Sequence, residues 1–99
     1  MGIKFTCDRA KAKRNLQKHG VSFQAAKQVF FDPHLIVVED CEVNSEMRYH
    51  AIGYADSDLL LVVYADRSEE EREVLHIISA RKAEEYEQRT YARQFTQGD

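Results

Sequence analysis

Lys18 and His19 stand directly before Gly20, and residues of these types can carry out acid–base and phosphate chemistry. Histidine titrates near neutral pH and can take or give a proton, while a nearby lysine stabilises negative charge that develops on a phosphate. The same residues also fit the end of a helix, with cations near its negative pole and glycine in the left-handed position. The segment therefore predicts a helix corner and leaves its chemical role open.

Arg48 and His50 are two residues apart in a segment that alternates apolar and polar side chains. Such residues point to the same face of a strand. They form a candidate phosphate-binding pair, although a solvated sheet face would contain the same residues.

The segment "SARK", Ser79 to Lys82, lies where a predicted strand meets a predicted helix. Backbone N–H groups at a helix N-terminus favour an anion, and Arg81 adds a bidentate phosphate donor. Ser79 as a simple cap and Arg81 as a surface arginine explain the pattern equally well.

Glu87 and Tyr91 are four residues apart on the last predicted helix and share one side of it. They could form an acid–base pair, or an ion-paired edge of the core. Tyr49, Tyr54 and Tyr64 could stack on unpaired bases, although strands favour tyrosine in any case.

The elements that must position these residues follow from periodicity and from helix signals. A short strand "IKF" precedes a helix over 9–19 that Asp8 can cap, and Gly20 can end that helix. Ser22 can cap a second helix over 23–30, which the pair Asp32-Pro33 ends.

The remaining chain predicts four strands and a final helix. The strands cover 35–39, 47–54, 59–65 and 73–79, and the helix covers 80–95. Short connections favour antiparallel hairpins. The order βααββββα predicts an α+β domain over residues 1–99, with an antiparallel sheet covered by two N-terminal helices and one C-terminal helix.

Charge is distributed unevenly although the net charge is only −3. Residues 1–20 hold six basic and one acidic side chain, whereas residues 21–80 hold four basic and twelve acidic ones. This pattern suits a polyanion on one side and a basic partner on the other, or simply a solvated charged helix.

Several classes of protein are not expected from the composition. No apolar run approaches the roughly 20 residues that span a bilayer, and the N-terminus does not resemble a signal peptide, so the cytoplasm is the expected location. Cys7 and Cys41 are too few for a zinc site or a disulfide framework. We expect no metal and no cofactor.

The residues taken together resemble the BrnT family of bacterial toxins. The first part of the pattern is "F-x-x-D-x-x-K-x-x-x-N-x-x-K-H-G-V-S-F-x-x-A-x-x-V-F-x-D-P", which runs from Phe5 to Pro33. The later part comprises Arg48, Gly53, "LVVY" ending at Tyr64, "IISARKA" from Ile77 to Ala83, Glu87 and Tyr91. Cys7 and His76 depart from the tryptophan and arginine that are common in the family, and the run Glu69 to Glu71 is unusually acidic.

This resemblance implies a type II toxin with a RelE-like fold that acts as a metal-independent endoribonuclease and inhibits translation. It also implies a BrnA-like ribbon-helix-helix antitoxin, which we expect in a 2:2 complex, with operator DNA bound only through the antitoxin. The alternative is a catalytically weak module that binds the antitoxin as a corepressor.

Site residues are assigned on this basis. The expected catalytic residues are His19 as acid or base, the cations Lys18, Arg48 and Arg81, and Tyr91 as a positioning group. The expected RNA-binding residues are Lys11, Arg14, Tyr64 and Lys82.

Overall fold

The computed structural model describes residues 2–96, which form three helices and one five-stranded sheet. The elements are β1 (Ile3–Cys7), α1 (Arg9–His19), α2 (Phe23–Val29), β2 (Ile36–Val43), β3 (Glu46–Ala55), β4 (Asp58–Asp66), β5 (Glu73–Lys82) and α3 (Glu85–Arg93). The predicted α+β class and the order βααββββα are confirmed.

The helix boundaries near the N-terminus follow from local chemistry. Asp8 caps α1 by accepting a hydrogen bond from the backbone N–H of Lys11 at 3.1 Å, and Gly20 ends α1 with φ of 70°. Ser22 caps α2 by accepting from the N–H of Ala25 at 3.0 Å. These contacts satisfy backbone groups that a helix end leaves unpaired, which explains why both helices begin where the sequence indicates.

The sheet is mixed, with the strand order β1-β5-β4-β3-β2. The four later strands pair antiparallel as consecutive hairpins, as expected from their short connections. The first strand instead pairs parallel with β5. A parallel neighbour needs a long connection, and residues 8–72 separate β1 from β5.

The two N-terminal helices cover one face of the sheet, which we call the helix-pair face. Apolar residues of α2 and of the turn before it meet alternating residues of the central strands there. The buried residues of this core are Val21, Phe23, Ala26, Val29, Ala51, Ala55, Leu60, Val62, Tyr64, Leu75, Ile77 and Ala80. Gly53 also lies on this side, where a Cβ atom would stand only 3.0 Å from Val29 Cγ1.

The last helix packs on the opposite face, which we call the α3 face. Tyr91 of α3 forms a second core cluster there with Ile52 and Leu61. The polar residues that alternate with the main core, including Arg48 and His50 on β3, lie on this face.

The boundary between β5 and α3 differs from the prediction. The strand continues to Lys82, because Ser79 to Lys82 remain paired with Leu60 to Val63 of β4. The helix begins only at Glu85. The expectation that Ser79 to Lys82 lie at a helix N-terminus is therefore wrong, and Arg81 projects from a strand.

Asn15 joins α1 to the exposed edge of β5. The parallel pairing with β1 ends at Ile77, so the backbone of Ala80 has no strand on that side. The Asn15 amide replaces the strand: Nδ2 donates to Ala80 O at 2.8 Å, and Oδ1 accepts from Ala80 N at 3.1 Å. Nδ2 also donates to Val21 O at 2.9 Å, so one buried side chain fixes both ends of this corner.

Candidate functional site

A row of cations runs along the outer side of α1, and we call it the α1 stripe. It consists of Lys11, Arg14 and Lys18, which follow one another by three and four residues and so share one side of a helix. Together with His19 they line a shallow cavity of about 300 Å³, whose other wall includes Ile78 and Ser79 of β5. Four of the predicted site residues therefore meet at one surface.

Arg48 lies on the α3 face and is half-buried. No ion pair within residues 2–96 involves its guanidinium. Its neighbour on the same strand, His50, is instead close to a carboxylate, with Nε2 at 3.1 Å from Asp40 Oδ2. The prediction that Arg48 and His50 share a face is confirmed, and Arg48 keeps its charge available for an anion.

Strand register places His76 on the same row as Arg48. Arg48 is opposite Ala65 of β4, Ala65 is opposite His76 of β5, and His76 is opposite Thr6 of β1. Arg48 and His76 are therefore separated by two strand spacings of about 4.8 Å each, with only a methyl side chain between them.

A second ion pair borders this row. Arg67 donates from Nε and Nη2 to the two carboxylate oxygens of Glu46, at 2.8 and 3.0 Å. Hydrogen bonding to Arg67 lowers the pKa of Glu46 and outweighs the opposing effect of burial, and the charges of Arg67, His76 and Arg48 lower it further. The six residues of this group, which we call the Ala65 cluster, are Thr6, Glu46, Arg48, Ala65, Arg67 and His76.

His76 is held by a short hydrogen bond between its Nδ1 and Thr6 Oγ1, at 2.7 Å. Burial lowers the pKa of His76 below its usual value of 6.5, and the positive charges of Arg67 and Lys11 lower it further, while Glu46 and Asp8 oppose them. The imidazole is therefore neutral at pH 7 and can accept a proton.

Arg81 is engaged within the fold. Its Nη1 and Nη2 donate to the two oxygens of Glu87 at 2.8 Å each, and the Glu87 side chain is only 2% exposed. Glu87 Oε1 also accepts from the backbone N–H of Glu84 at the start of α3. Burial raises the pKa of Glu87, but the hydrogen bonds from Arg81 and Glu84 outweigh it and keep the pKa below its ordinary value.

Tyr91 lies in the core between α3 and the sheet and is 7% exposed. Its hydroxyl donates to Asp32 Oδ2 at 2.7 Å, and this carboxylate also accepts from the N–H of Tyr54. Burial and the contact with Asp32 raise the pKa of Tyr91 to about 12. The residue fastens α3 to the corner that ends α2.

Two of the predicted RNA-binding residues lie away from the α1 stripe. Tyr64 is 7% exposed on the helix-pair face, with its ring against Tyr49 and Phe30, and burial raises its pKa to about 12. An RNA base cannot stack on a ring in that position. Lys82 is exposed at the end of β5 and lines a different cavity, with Asp58 and Leu60 and with Leu16 and Gly20 from the end of α1.

Only the Lys11 end of the α1 stripe lies near the Ala65 cluster. Lys11 is near enough to influence the titration of His76, whereas His19 lies eight residues further along α1, roughly 12 Å at 1.5 Å per residue. The structure thus joins His19 to Lys18 and Arg14, and it does not bring His19 to Arg48.

Sequence reasoning did not assign His76, Thr6 or Asn15 to any site or contact. Regular alternation along β5 would have placed His76 on its face of the sheet. A bulge interrupts that alternation, because Val63 of β4 is opposite Ser79 whereas its neighbour Tyr64 is opposite Ile77. Only the register of three strands shows that His76 and Arg48 share a row.

Within residues 2–96, no group of three or more His, Cys, Asp or Glu side chains is arranged to hold a metal ion. None of the three helices in the same range combines the length and the apolar character that crossing a membrane requires.

Comparison with known proteins identifies the family. The family described as the ribonuclease toxin BrnT of type II toxin–antitoxin systems matches residues 8–87. This range includes the α1 stripe, Arg48 and His76. The chain belongs to the BrnT family of ribonuclease toxins. No curated protein matches the chain.

Proposed function

We propose that the chain is a metal-independent endoribonuclease that cleaves RNA and thereby inhibits translation. The observation that carries this proposal is a cationic track on one side of the molecule. The track starts at Lys18 and continues through Arg14 to Lys11, whose charge acts on His76 of the Ala65 cluster, and Arg48 of that cluster has no carboxylate partner within residues 2–96. Phosphate binding depends on the cations within reach.

The proposed reaction is attack of a ribose 2′-hydroxyl on the adjacent phosphodiester. It requires a base for the 2′-hydroxyl and cations for the charge that develops on phosphorus. Arg48 supplies such a cation, and a donor directed at that charge contributes about 3 kcal/mol of transition-state stabilisation. The α1 stripe binds flanking phosphates, and Lys18 and His19 contact RNA at the far end of the track.

Arg81 and Tyr91, expected to act in catalysis, have no place in this proposal, because their polar groups bond to Glu87 and Asp32. The same holds for Tyr64, which is buried, and for Lys82, which lies beside Asp58 outside the track.

Induced expression of the parent chain and of Arg48→Ala tests the proposal. The parent should arrest growth, and the purified protein should cleave RNA in the presence of EDTA, either free or on translating ribosomes. Arg48→Ala should lose about 100-fold in cleavage rate, which corresponds to about 3 kcal/mol. Arg93→Ala, which removes an exposed arginine of α3, is the matched control. Equal toxicity of Arg48→Ala and the parent would contradict the proposed site.

A second function, as a corepressor with weak catalysis, is favoured by the acidic surface on the rest of the molecule. The loop between β4 and β5 exposes Glu69, Glu70 and Glu71, and Glu39 and Glu42 are exposed on the edge strand β2. Such a surface complements a basic partner. We propose a BrnA-like ribbon-helix-helix antitoxin as that partner, bound in the cytoplasm.

The proposed complex contains two toxins and two antitoxins, since ribbon-helix-helix proteins dimerise and a two-fold partner brings two copies. Operator DNA is bound only through the antitoxin. Light scattering on the co-purified pair tests the assembly, and a complex of single chains would refute it. The corepressor function would replace the first proposal if the parent leaves RNA intact and yet sharpens promoter binding by the antitoxin.

A further inference from the structure

Ala65 has an exposed fraction of 0%, and it belongs to neither of the two apolar core clusters. The contact of α3 with the same face is at Leu61, four residues earlier on β4 and therefore about 13 Å away. The side chains beside Ala65 on its own face are Arg48 and His76. These two side chains flank it across the sheet, and Val63 and Arg67 flank it along the chain on the same face.

We propose that His76 is the general base of RNA cleavage and that Arg48 holds the scissile phosphate beside it, above Ala65. This inference rests on the proposed ribonuclease function and deepens it, because it transfers the proton-transfer role from His19 to His76. The substrate class is a phosphodiester with a free 2′-hydroxyl on the preceding ribose.

Thr6 determines which ring nitrogen of His76 can accept a proton. The bond of 2.7 Å occupies Nδ1, and in the tautomer whose Nδ1–H donates to Thr6 Oγ1, Nε2 is left as a proton acceptor. No buried side-chain nitrogen or oxygen in residues 2–96 lacks a hydrogen-bond partner. Because Nε2 has no partner in that range, it is not fully buried and can meet solvent.

The 2′-hydroxyl proton passes to His76 Nε2 while the 2′-oxygen forms a bond to phosphorus, and the bond from phosphorus to the 5′-oxygen breaks. The leaving 5′-oxygen takes a proton from water, and His76 later returns its own proton to solvent. The products are a 2′,3′-cyclic phosphate and a 5′-hydroxyl, and neither an oxidant nor a metal takes part.

The surroundings of His76 favour the neutral form that a base needs. The charged groups around it are Lys11 from α1 and its cap Asp8, Glu46 and Arg48 from β3, and Arg67 after β4. From β1, the neutral Thr6 is opposite His76, and Lys4 lies two residues away on the same face. Burial and the cations lower the pKa of His76, so the base stays active below the usual histidine range.

Single-turnover cleavage across a pH series tests the proposal, with a labelled RNA of at least one dozen nucleotides, free or on translating ribosomes. A matched RNA lacks the 2′-hydroxyl at the cleaved position. The variants are His76→Gln and Thr6→Val, and His34→Gln is the control because its ring packs on Phe95 at the other end of the sheet. Circular dichroism confirms that each variant is folded.

We expect the cleavage rate of His76→Gln to fall about 100-fold or more, within the range for a general base. Its pH profile should also lose the acid limb, in which the rate rises as the base loses its proton. The limb in the parent should lie below pH 6.5, the usual histidine value. Thr6→Val, which affects only a positioning residue, should show a smaller loss and a displaced limb, and His34→Gln should match the parent.

Two results would overturn the inference in distinguishable ways. If the parent cleaves RNA and folded His76→Gln keeps both the rate and the acid limb, His76 is not the base, while the ribonuclease function stands. If the parent cleaves neither free nor ribosome-bound RNA, or cleaves the 2′-deoxy substrate equally well, the proposed function fails and the inference fails with it.

Discussion

Arg81 is a residue of the type found in phosphate sites, but in this fold its side chain stabilises the folded state. Its two bonds to Glu87 neutralise a carboxylate that is almost completely buried. Removing one partner of a buried ion pair leaves an unpaired charge in a medium of low polarity, which costs about 3–5 kcal/mol. The free energy of unfolding should therefore depend on Arg81 more strongly than on any exposed arginine.

Arg81→Ala should lower the free energy of unfolding by about 3 kcal/mol, measured by urea denaturation at neutral pH. The double variant Arg81→Met with Glu87→Leu should recover most of that loss, because it removes both charges together. Arg89→Ala, which breaks an exposed ion pair with Glu85, should change stability by less than about 1 kcal/mol. A folded Arg81→Ala as stable as the parent would contradict this role.

Whether a residue's contacts could be predicted from the sequence depends on how far apart the interacting residues are along the chain. Arg48 and His50 could be assigned to one face because alternation within a strand is local. Neither the partner of Arg81 nor the contact of Tyr91 with Asp32, 59 positions away, follows from any local pattern. His76 likewise required the register of separate strands.

Among the elements, α1 depends on one amide for its attachment to the sheet. Asn15→Ala would leave the N–H and C=O of Ala80 and the C=O of Val21 without partners in a buried place. An unpaired buried polar group costs about 1–3 kcal/mol. We expect Asn15→Ala to reduce the free energy of unfolding by about 2–3 kcal/mol and to speed hydrogen exchange at the Ala80 amide.

Gln17→Ala is the matched control, since Gln17 is exposed on the same helix and should change stability by no more than about 0.5 kcal/mol. Asn15→Asp should be at least as destabilising as Asn15→Ala, because a carboxylate cannot donate to the two carbonyl groups. Unchanged exchange at Ala80 in Asn15→Ala would show that α1 is held by other contacts.

The order of elements could be predicted because their signals are short-range. Asp8, Gly20 and Ser22 act within three or four residues of the helix ends that they define. The end of β5 could not be placed in this way. "ARKAEEYEQRTYARQF" contains good helix formers throughout, but pairing with β4 keeps its first three residues in the sheet, and tertiary pairing outweighs helix propensity.

For the molecule as a whole, the decisive feature is the separation of charge. The α1 stripe is basic, whereas acidic side chains are exposed on the β4–β5 loop and along β2. A polyanion is therefore attracted to the α1 stripe and repelled by these acidic segments. Charge counts along the sequence indicated this division, and the fold brings Lys11 of the basic part near enough to His76 to lower its pKa.

This separation predicts the salt dependence of RNA binding. Each phosphate contact in a single strand contributes about −0.7 to the slope of log affinity against log salt. The triple variant Lys11→Gln, Arg14→Gln and Lys18→Gln should therefore make the slope shallower by about 2, measured by fluorescence anisotropy with a non-cleavable 2′-O-methyl RNA.

A control with the same change in net charge is Arg9→Gln, Lys13→Gln and Arg93→Gln. At 100° per residue, Arg9 and Lys13 each lie about 160° from Lys11, on the opposite side of α1. Arg93 is exposed on α3. If both triple variants shift the slope equally, RNA responds to the net charge of the molecule and not to the α1 stripe.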